Sequence, residues 1–127
     1  MIQVDQDLLN SLLAQAKENS RLRMNMDMRT SSADTSQRML NALLPGTEVP
    51  IHRHEETSES VICLCGKLYE IIYEESVAKE TIFKEVDRIL LCPAEGKYGC
   101  QVPKGAWHTI EVLEPSVIFE AKDGAYK

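Results

Sequence analysis

The sequence lacks several features that would assign it to a common functional class. It has no basic excess: 14 lysines and arginines stand against 20 aspartates and glutamates, for a net charge of −6. Nucleic acids and anionic membrane surfaces bind basic faces, so we expect neither as a partner. No apolar run could span a bilayer, and residues 1–10 do not resemble a secretory signal. We therefore expect a cytoplasmic protein.

The four cysteines do not form a metal or disulfide pattern. No C-x-x-C pair occurs, and in a reducing compartment the thiols should be free. Cys63 and Cys65 would share one face of a strand as small buried apolar residues. Cys100, eight residues before His108, is an alternative nucleophile, but nothing around it indicates an activated thiolate.

Periodicity predicts a helix followed mainly by strands. Apolar residues from Leu8 to Ala16 recur at helical spacing, with Asp5 or Asp7 as the N-terminal cap and Asn19 as a left-handed C-terminal residue. Residues 21–29 alternate strictly between apolar and polar side chains, which predicts a half-buried strand.

The remaining segments are short and separated by turn signals. Residues 37–44 suit either a helix or a strand. Strand candidates follow in "SVICLC", ending at Gly66, and in "KLYEIIYEE", "ETIFKEV", "CQVPKG", "WHTIEVL" and "SVIFEAK", with a turn at Pro115 between the last two. Many short strands at regular spacing favour an all-β sandwich or barrel.

One constellation has the composition of a metal site. The string G-x5-H-x-H-x4-E-x6-G runs from Gly46 through His52, His54 and Glu59 to Gly66. On a strand, both histidines point to one side, and Glu59 can add a carboxylate from the next strand. The two glycines would close tight turns at each end. The alternative is an exposed polar loop.

The only other histidine, His108, opens a second strand after Pro103 and Gly105. Three imidazoles and a carboxylate suit Fe, Mn, Co, Ni, Cu or Zn better than Ca or Mg, and leave positions open for water or substrate. Glu55 and Glu56 are interpreted as surface charge.

These two strings resemble the two conserved motifs of the cupin superfamily. The first matches at every fixed position, and the second matches in "PKGAWH", with Lys97 and Val112 where a glycine and an asparagine are expected. Neither departure affects a metal ligand. The strings "QRMLNALLPG", "HRHEETSE", "PKGAWHTIEVLEP" and "FEAKDGAY" are further similar to WbuC-type cupins, small bacterial metalloproteins often associated with surface-polysaccharide gene clusters.

The resemblance implies a single all-β cupin domain over residues 1–127, a jelly-roll barrel at about 37–122 with an N-terminal helix and arm at about 5–30. It implies one divalent metal ion, Fe, Mn, Ni or Zn, held by His52, His54, Glu59 and His108. Family members often carry a histidine near Met28 and continue beyond the final "AY", so a more open pocket mouth is expected here. A homodimer is also expected.

Function is predicted only as a class. The leading hypothesis is Lewis-acid isomerase or epimerase chemistry on a small molecule, of sugar or sugar-nucleotide type; the alternatives are a dioxygenase and a non-catalytic ligand-binding domain. No catalytic residue is assigned. Five residues are candidates for lining the pocket: Arg23, Gln37, Arg38, Asn41 and Trp107. In this role an arginine would pair with an anionic group of the substrate, and Trp107 could stack on a sugar ring. The alternative is that these side chains face outward or pack against the barrel.

Overall fold

The computed structural model describes residues 1–76 and 83–124, and it contains one α-helix followed by a β-sheet. The elements are α1 (Gln6–Glu18), β1 (Arg23–Asp27), β2 (Ser36–Leu43), β3 (Glu59–Glu75), β4 (Phe83–Leu91), β5 (Gly99–Val102), β6 (Trp107–Asp123) and a 3₁₀ turn at Pro93–Glu95. Neighbouring strands are antiparallel in the order β1-β2-β6-β3-β4, with β5 pairing β3. Part of the predicted strand "ETIFKEV" lies outside the described residues.

The helix begins where its cap predicts. Asp5 accepts a hydrogen bond from the Leu8 backbone N–H at 2.9 Å, which satisfies one free donor of the first turn. The predicted left-handed end at Asn19 is wrong, because this residue is extended (φ −89°, ψ 135°) and Leu22 instead adopts a positive φ of 58°. No helix of the described residues is long and apolar enough to cross a membrane.

Strands β3 and β6 each join two segments that the sequence separates. The predicted ends at Gly66 and Pro115 are wrong, because the two residues meet across the sheet at a shared bulge. A Cβ on Gly66 would lie 2.3 Å from the Pro115 carbonyl oxygen, and Ser116 Oγ accepts from the Lys67 N–H at 2.9 Å. Gly66 therefore permits a close approach of two strands rather than a chain reversal.

Two apolar clusters hold the fold together. The first lies inside the sheet and includes Leu43, Val61, Leu68, Leu91 and Ile118. The second packs α1 against the outer face of β1, β2 and β6 through Leu9, Leu12, Ala16, Leu40, Ala42 and Val117. Cys63 belongs to the first cluster and Cys65 to the second. The prediction that they share one face is wrong, since the β3–β6 register shifts between them.

Strands β1 and β2 form a hairpin with two different faces. One face of the hairpin packs under the helix. The side chains of Met24, Met26 and Met28, two residues apart, contact this cluster, and Leu40 and Ala42 of β2 belong to it. Residues 37–44, for which the sequence left helix and strand open, are therefore mostly strand. The opposite face of the hairpin carries polar side chains that line a cavity.

Candidate metal centre

Backbone pairing brings the two sequence motifs together. The His52 N–H donates to the His108 carbonyl at 3.0 Å, and the His108 N–H donates to the His52 carbonyl at 2.8 Å. Gly105, with φ of 78°, donates its N–H to the His54 carbonyl at 2.8 Å. The turn that the sequence predicts at Pro103–Gly105 thus anchors His108 beside the first motif.

The three imidazoles converge on one point. One ring nitrogen from each of His52, His54 and His108 lies within 4.8 Å of the other two. His52 Nδ1 and His108 Nδ1 each lie 2.9 Å from a backbone carbonyl, of Pro50 and Ala106 respectively. A carbonyl only accepts, so these Nδ1 atoms carry the proton and each Nε2 keeps a free lone pair.

Glu59 lies against the histidines at the first position of β3. Its side chain is 5% exposed, with Oε2 3.2 Å from His54 Nε2 and Oε1 3.9 Å from His108 Nε2. The structure thus brings together the four predicted ligands, while Glu55 pairs with Arg53 at the surface at 2.9 Å.

Burial controls the charge of the cluster. It lowers the pKa of His54 to about 4, with the nearby Lys122, His52 and His108 adding to the effect, and it lowers the pKa of His108 despite the hydrogen bond to Ala106. These imidazoles are therefore neutral at pH 7 and can act as ligands. Burial, followed by the adjacent Glu120, raises the pKa of Glu59.

The residues present fit a divalent transition metal. The Nε2 atoms of His54 and His108 are buried, and the Glu59 carboxyl lies 3.2 Å and 3.9 Å from them without forming a hydrogen bond to either. Buried polar atoms are normally paired, so these two nitrogens call for a group that accepts a lone pair. Three imidazole nitrogens and a nearby carboxylate oxygen form a donor set for Fe, Mn, Ni or Zn.

A cavity of about 690 Å³ adjoins the cluster, within the usual range for small-molecule sites. Of the predicted lining residues, Arg23, Gln37 and Asn41 line it. Arg38 and Trp107 do not. Each is next to an inward-facing residue on its strand, Gln37 or His108, so the alternation of side chains points it away from the cavity. Arg38 pairs with Asp34 at 3.1 Å. The guanidinium carbon of Arg53 lies 4.5 Å from the centre of the Trp107 ring.

Among the cavity residues that sequence reasoning missed are two glutamates, Glu70 and Glu120. Glu70 is 2% exposed, and burial, followed by Glu120, raises its pKa to about 8. Glu120 hydrogen-bonds Glu59 and accepts from the Asn41 side chain. The alternation of the strands could have shown that both glutamates face inward. Glu70 lies two residues from Leu68 and from Ile72, and Glu120 lies two residues from Ile118, and these apolar residues belong to the inner cluster.

Comparison with known proteins establishes a family. Residues 4–84, more than half of the chain, match the family described as Domain of unknown function (DUF6016). The chain belongs to this family. No curated protein matches it at a significant level.

Solved structures establish the fold. The chain is similar to the cupin domain of Schizosaccharomyces pombe Cnp3 (12% identity, 80% of this chain and 64% of that one, TM-score 0.55). It is similar to dTDP-4-dehydrorhamnose 3,5-epimerase from Sulfolobus tokodaii (18%, 72% and 52%, 0.56) and to hydroquinone 1,2-dioxygenase PnpCD in complex with Cd²⁺ (15%, 72% and 59%, 0.55). It spans less than two thirds of each. At these identities the likeness concerns the fold alone, and it confirms the predicted all-β, single-domain cupin fold, to which the described residues add an N-terminal helix.

Proposed function

We propose that the protein is a divalent-metal-binding small cupin of WbuC type that acts on a sugar or sugar-nucleotide by isomerase or epimerase chemistry. The observation that carries the proposal is the convergence of one ring nitrogen from each of His52, His54 and His108 within 4.8 Å, beside the Glu59 carboxyl. Similarity to a sugar-nucleotide epimerase supports the substrate class at the level of the fold.

Each residue has a role that follows from its position. His52, His54 and His108 hold the metal, with Glu59 as the predicted fourth ligand. When bound, the metal supplies Lewis acidity toward a carbonyl or hydroxyl oxygen. Glu70 is buried in the same cavity and is not a predicted metal ligand. Its proposed role is to take a proton from the bound small molecule and to return it.

The cavity mouth suits a ligand with a charged end. Arg21 and Arg23 both line the cavity, and Arg23 donates to the Glu48 carbonyl at 2.7 Å without an acidic partner among the described residues. A phosphate group of a sugar-nucleotide would pair with these guanidinium groups.

We also propose a homodimer, supported by the exposed apolar residues at the N-terminal arm. Ile2 is 52% exposed and Val4 is 44% exposed, and a second copy of the chain would cover them. Light scattering that gives the mass of one chain at micromolar concentration would contradict this.

Elemental analysis of untagged protein tests the metal proposal. We expect one Fe, Mn, Ni or Zn per chain in the parent and none in His52→Ala. Glu59→Gln should reduce the metal content, whereas Glu56→Gln, an exposed carboxylate three residues away, should leave it unchanged. Equal metal in the parent and His52→Ala would refute the centre.

Turnover is tested separately on the metal-loaded protein. Solvent deuterium incorporated at a carbon of a dTDP-hexulose, and lost in Glu70→Gln with metal content intact, would support proton transfer. Oxygen consumption without such exchange would indicate dioxygenase chemistry instead. Saturable binding with neither activity would leave a ligand-binding domain.

A further inference from the structure

Gln37 is a buried side chain whose carbonyl oxygen is unused by the protein. The residue is 3% exposed, and its Oε1 has no hydrogen-bond partner among the described residues. Its amide nitrogen lies 3.7 Å from Met39 Sδ, a weak acceptor. An unpaired buried acceptor destabilises the folded state, because it loses its hydration without gaining a hydrogen bond. An oxygen kept in this position therefore calls for a donor from outside the chain.

The position of Gln37 connects it to the metal centre. Gln37 lies opposite Lys122 on β6, and Lys122 lies opposite Glu59 on β3. Two strand spacings separate Gln37 from Glu59 in the sheet, so their backbones are about 10 Å apart. Both side chains line the same cavity. A molecule the size of a sugar can reach from one to the other.

The side-chain amides nearest to Gln37 turn their hydrogens toward the protein. Asn25 directs its amide N–H groups to Asn41 Oδ1 at 2.9 Å and Met39 Sδ at 3.0 Å, and Asn41 directs its own to Glu120. These amides therefore do not donate to Gln37 Oε1. A ligand that pairs Oε1 must supply the hydrogen.

An anion finds little attraction near Gln37. Arg29 lines the cavity here, but Asp27 holds its guanidinium at 2.8 Å. A charged group that entered the cavity without a partner would lose its hydration at a high cost. A hydroxyl group has the required hydrogen and no charge.

We propose that Gln37 Oε1 accepts a hydrogen bond from a hydroxyl group of a neutral, polyhydroxylated part of the ligand, bound between Gln37 and the metal centre. This inference rests on the proposed function, because it identifies the ligand part that occupies the cavity floor. Gln37 is then a specificity residue, whereas Arg21 and Arg23 contact a different part of the ligand.

The test uses the methyl group of Met39, which lies at this subsite and is 7% exposed. Protein labelled with ¹³C at methionine methyl groups is titrated with D-sorbitol and with D-gluconate, with and without zinc. We expect sorbitol to shift the Met39 methyl signal and gluconate to act more weakly. The signals of Met26 and Met28, which pack in the cluster under the helix, should stay unchanged.

Gln37→Met removes the acceptor and keeps the length of the side chain. We expect it to weaken the sorbitol response about fivefold or more, the effect of losing one neutral hydrogen bond. Its unfolding temperature should equal or exceed that of the parent. The matched control, Gln101→Met on the exposed side of β5, should bind as the parent does.

Each failure has its own meaning. Equal sorbitol affinity in the parent and Gln37→Met overturns the inference, as does a Met39 signal that responds only to gluconate. A large drop in unfolding temperature in Gln37→Met would show a structural role and also overturn it. Zinc content, measured on the same samples, decides the metal proposal independently: bound zinc with an unresponsive Met39 refutes the subsite alone.

Discussion

The two faces of strand β2 both carry buried side chains, yet they differ in chemistry. On the helix side, Leu40 and Ala42 are fully buried among apolar neighbours. On the cavity side, Gln37 is almost as buried but keeps an unpaired oxygen. Burial alone therefore does not distinguish packing from function; the pairing of polar atoms does.

The largest effect should come from the helix side. Leu40→Ala removes side-chain atoms from a fully buried position, so we expect a loss of about 2–5 kcal/mol in the free energy of unfolding. Urea denaturation of metal-free protein measures it. Leu113→Ala, at a 38% exposed site, is the matched control and should lose far less. A similar loss in both would mean that the helix cluster does not dominate stability.

The next effect concerns the metal centre. A ligand present at a hundredfold excess over its Kd stabilises the folded state by about 2.7 kcal/mol. We expect zinc at that excess to give this increment in the parent and in Leu40→Ala, and to give none in His108→Ala. The increment is the difference within each variant, so the variant's own stability cancels. An increment retained in His108→Ala would place zinc elsewhere.

A smaller effect should appear with pH on the cavity side. Burial, followed by Glu120, raises the pKa of Glu70 from 4.5 to about 8, so the folded state holds a proton that the unfolded chain releases. Stability then falls as pH rises between these values. His54, with its pKa lowered to about 4, has the opposite slope but only up to about 6.5.

Between pH 6.5 and 8 we therefore expect metal-free protein to lose on the order of 1–2 kcal/mol from Glu70, and Glu59 adds to the loss. Urea denaturation across this range measures the slope. Glu70→Gln should reduce it, whereas Glu74→Gln, exposed on the same strand, should not. An unchanged slope in Glu70→Gln would show that Glu70 titrates normally.

The local parts of this fold could be predicted from sequence. The helix cap at Asp5 and the alternation of β1 depend on spacing within short segments. The convergence of His108 with His52 and His54 was expected from the resemblance to the two cupin motifs, because His108 lies in a distant segment of the chain. The continuity of β3 and β6 could not be predicted, because Gly66 and Pro115 act on each other across the sheet.

The inner acids were missed for a related reason. "YEIIYEE" contains three glutamates, and only the pairing of β3 with β6 shows which of them faces inward. Glu70 shares its side with Leu68 and Ile72, so alternation indicated the answer once the inner face was known.

The smallest effect should come from Arg38, the neighbour of Gln37 on the opposite face of β2. Its guanidinium donates to the Ser36 carbonyl at 2.6 Å and to Asp34 at 3.1 Å, at a partly exposed site where water replaces such contacts. Arg38→Gln should lower the urea midpoint far less than Leu40→Ala does, and it should leave zinc content and the Met39 methyl response unchanged. If Arg38→Gln weakened sorbitol binding as much as Gln37→Met does, then the two faces of β2 would not have separate roles in packing and in ligand binding. The ligand would then have to reach around the edge of the hairpin.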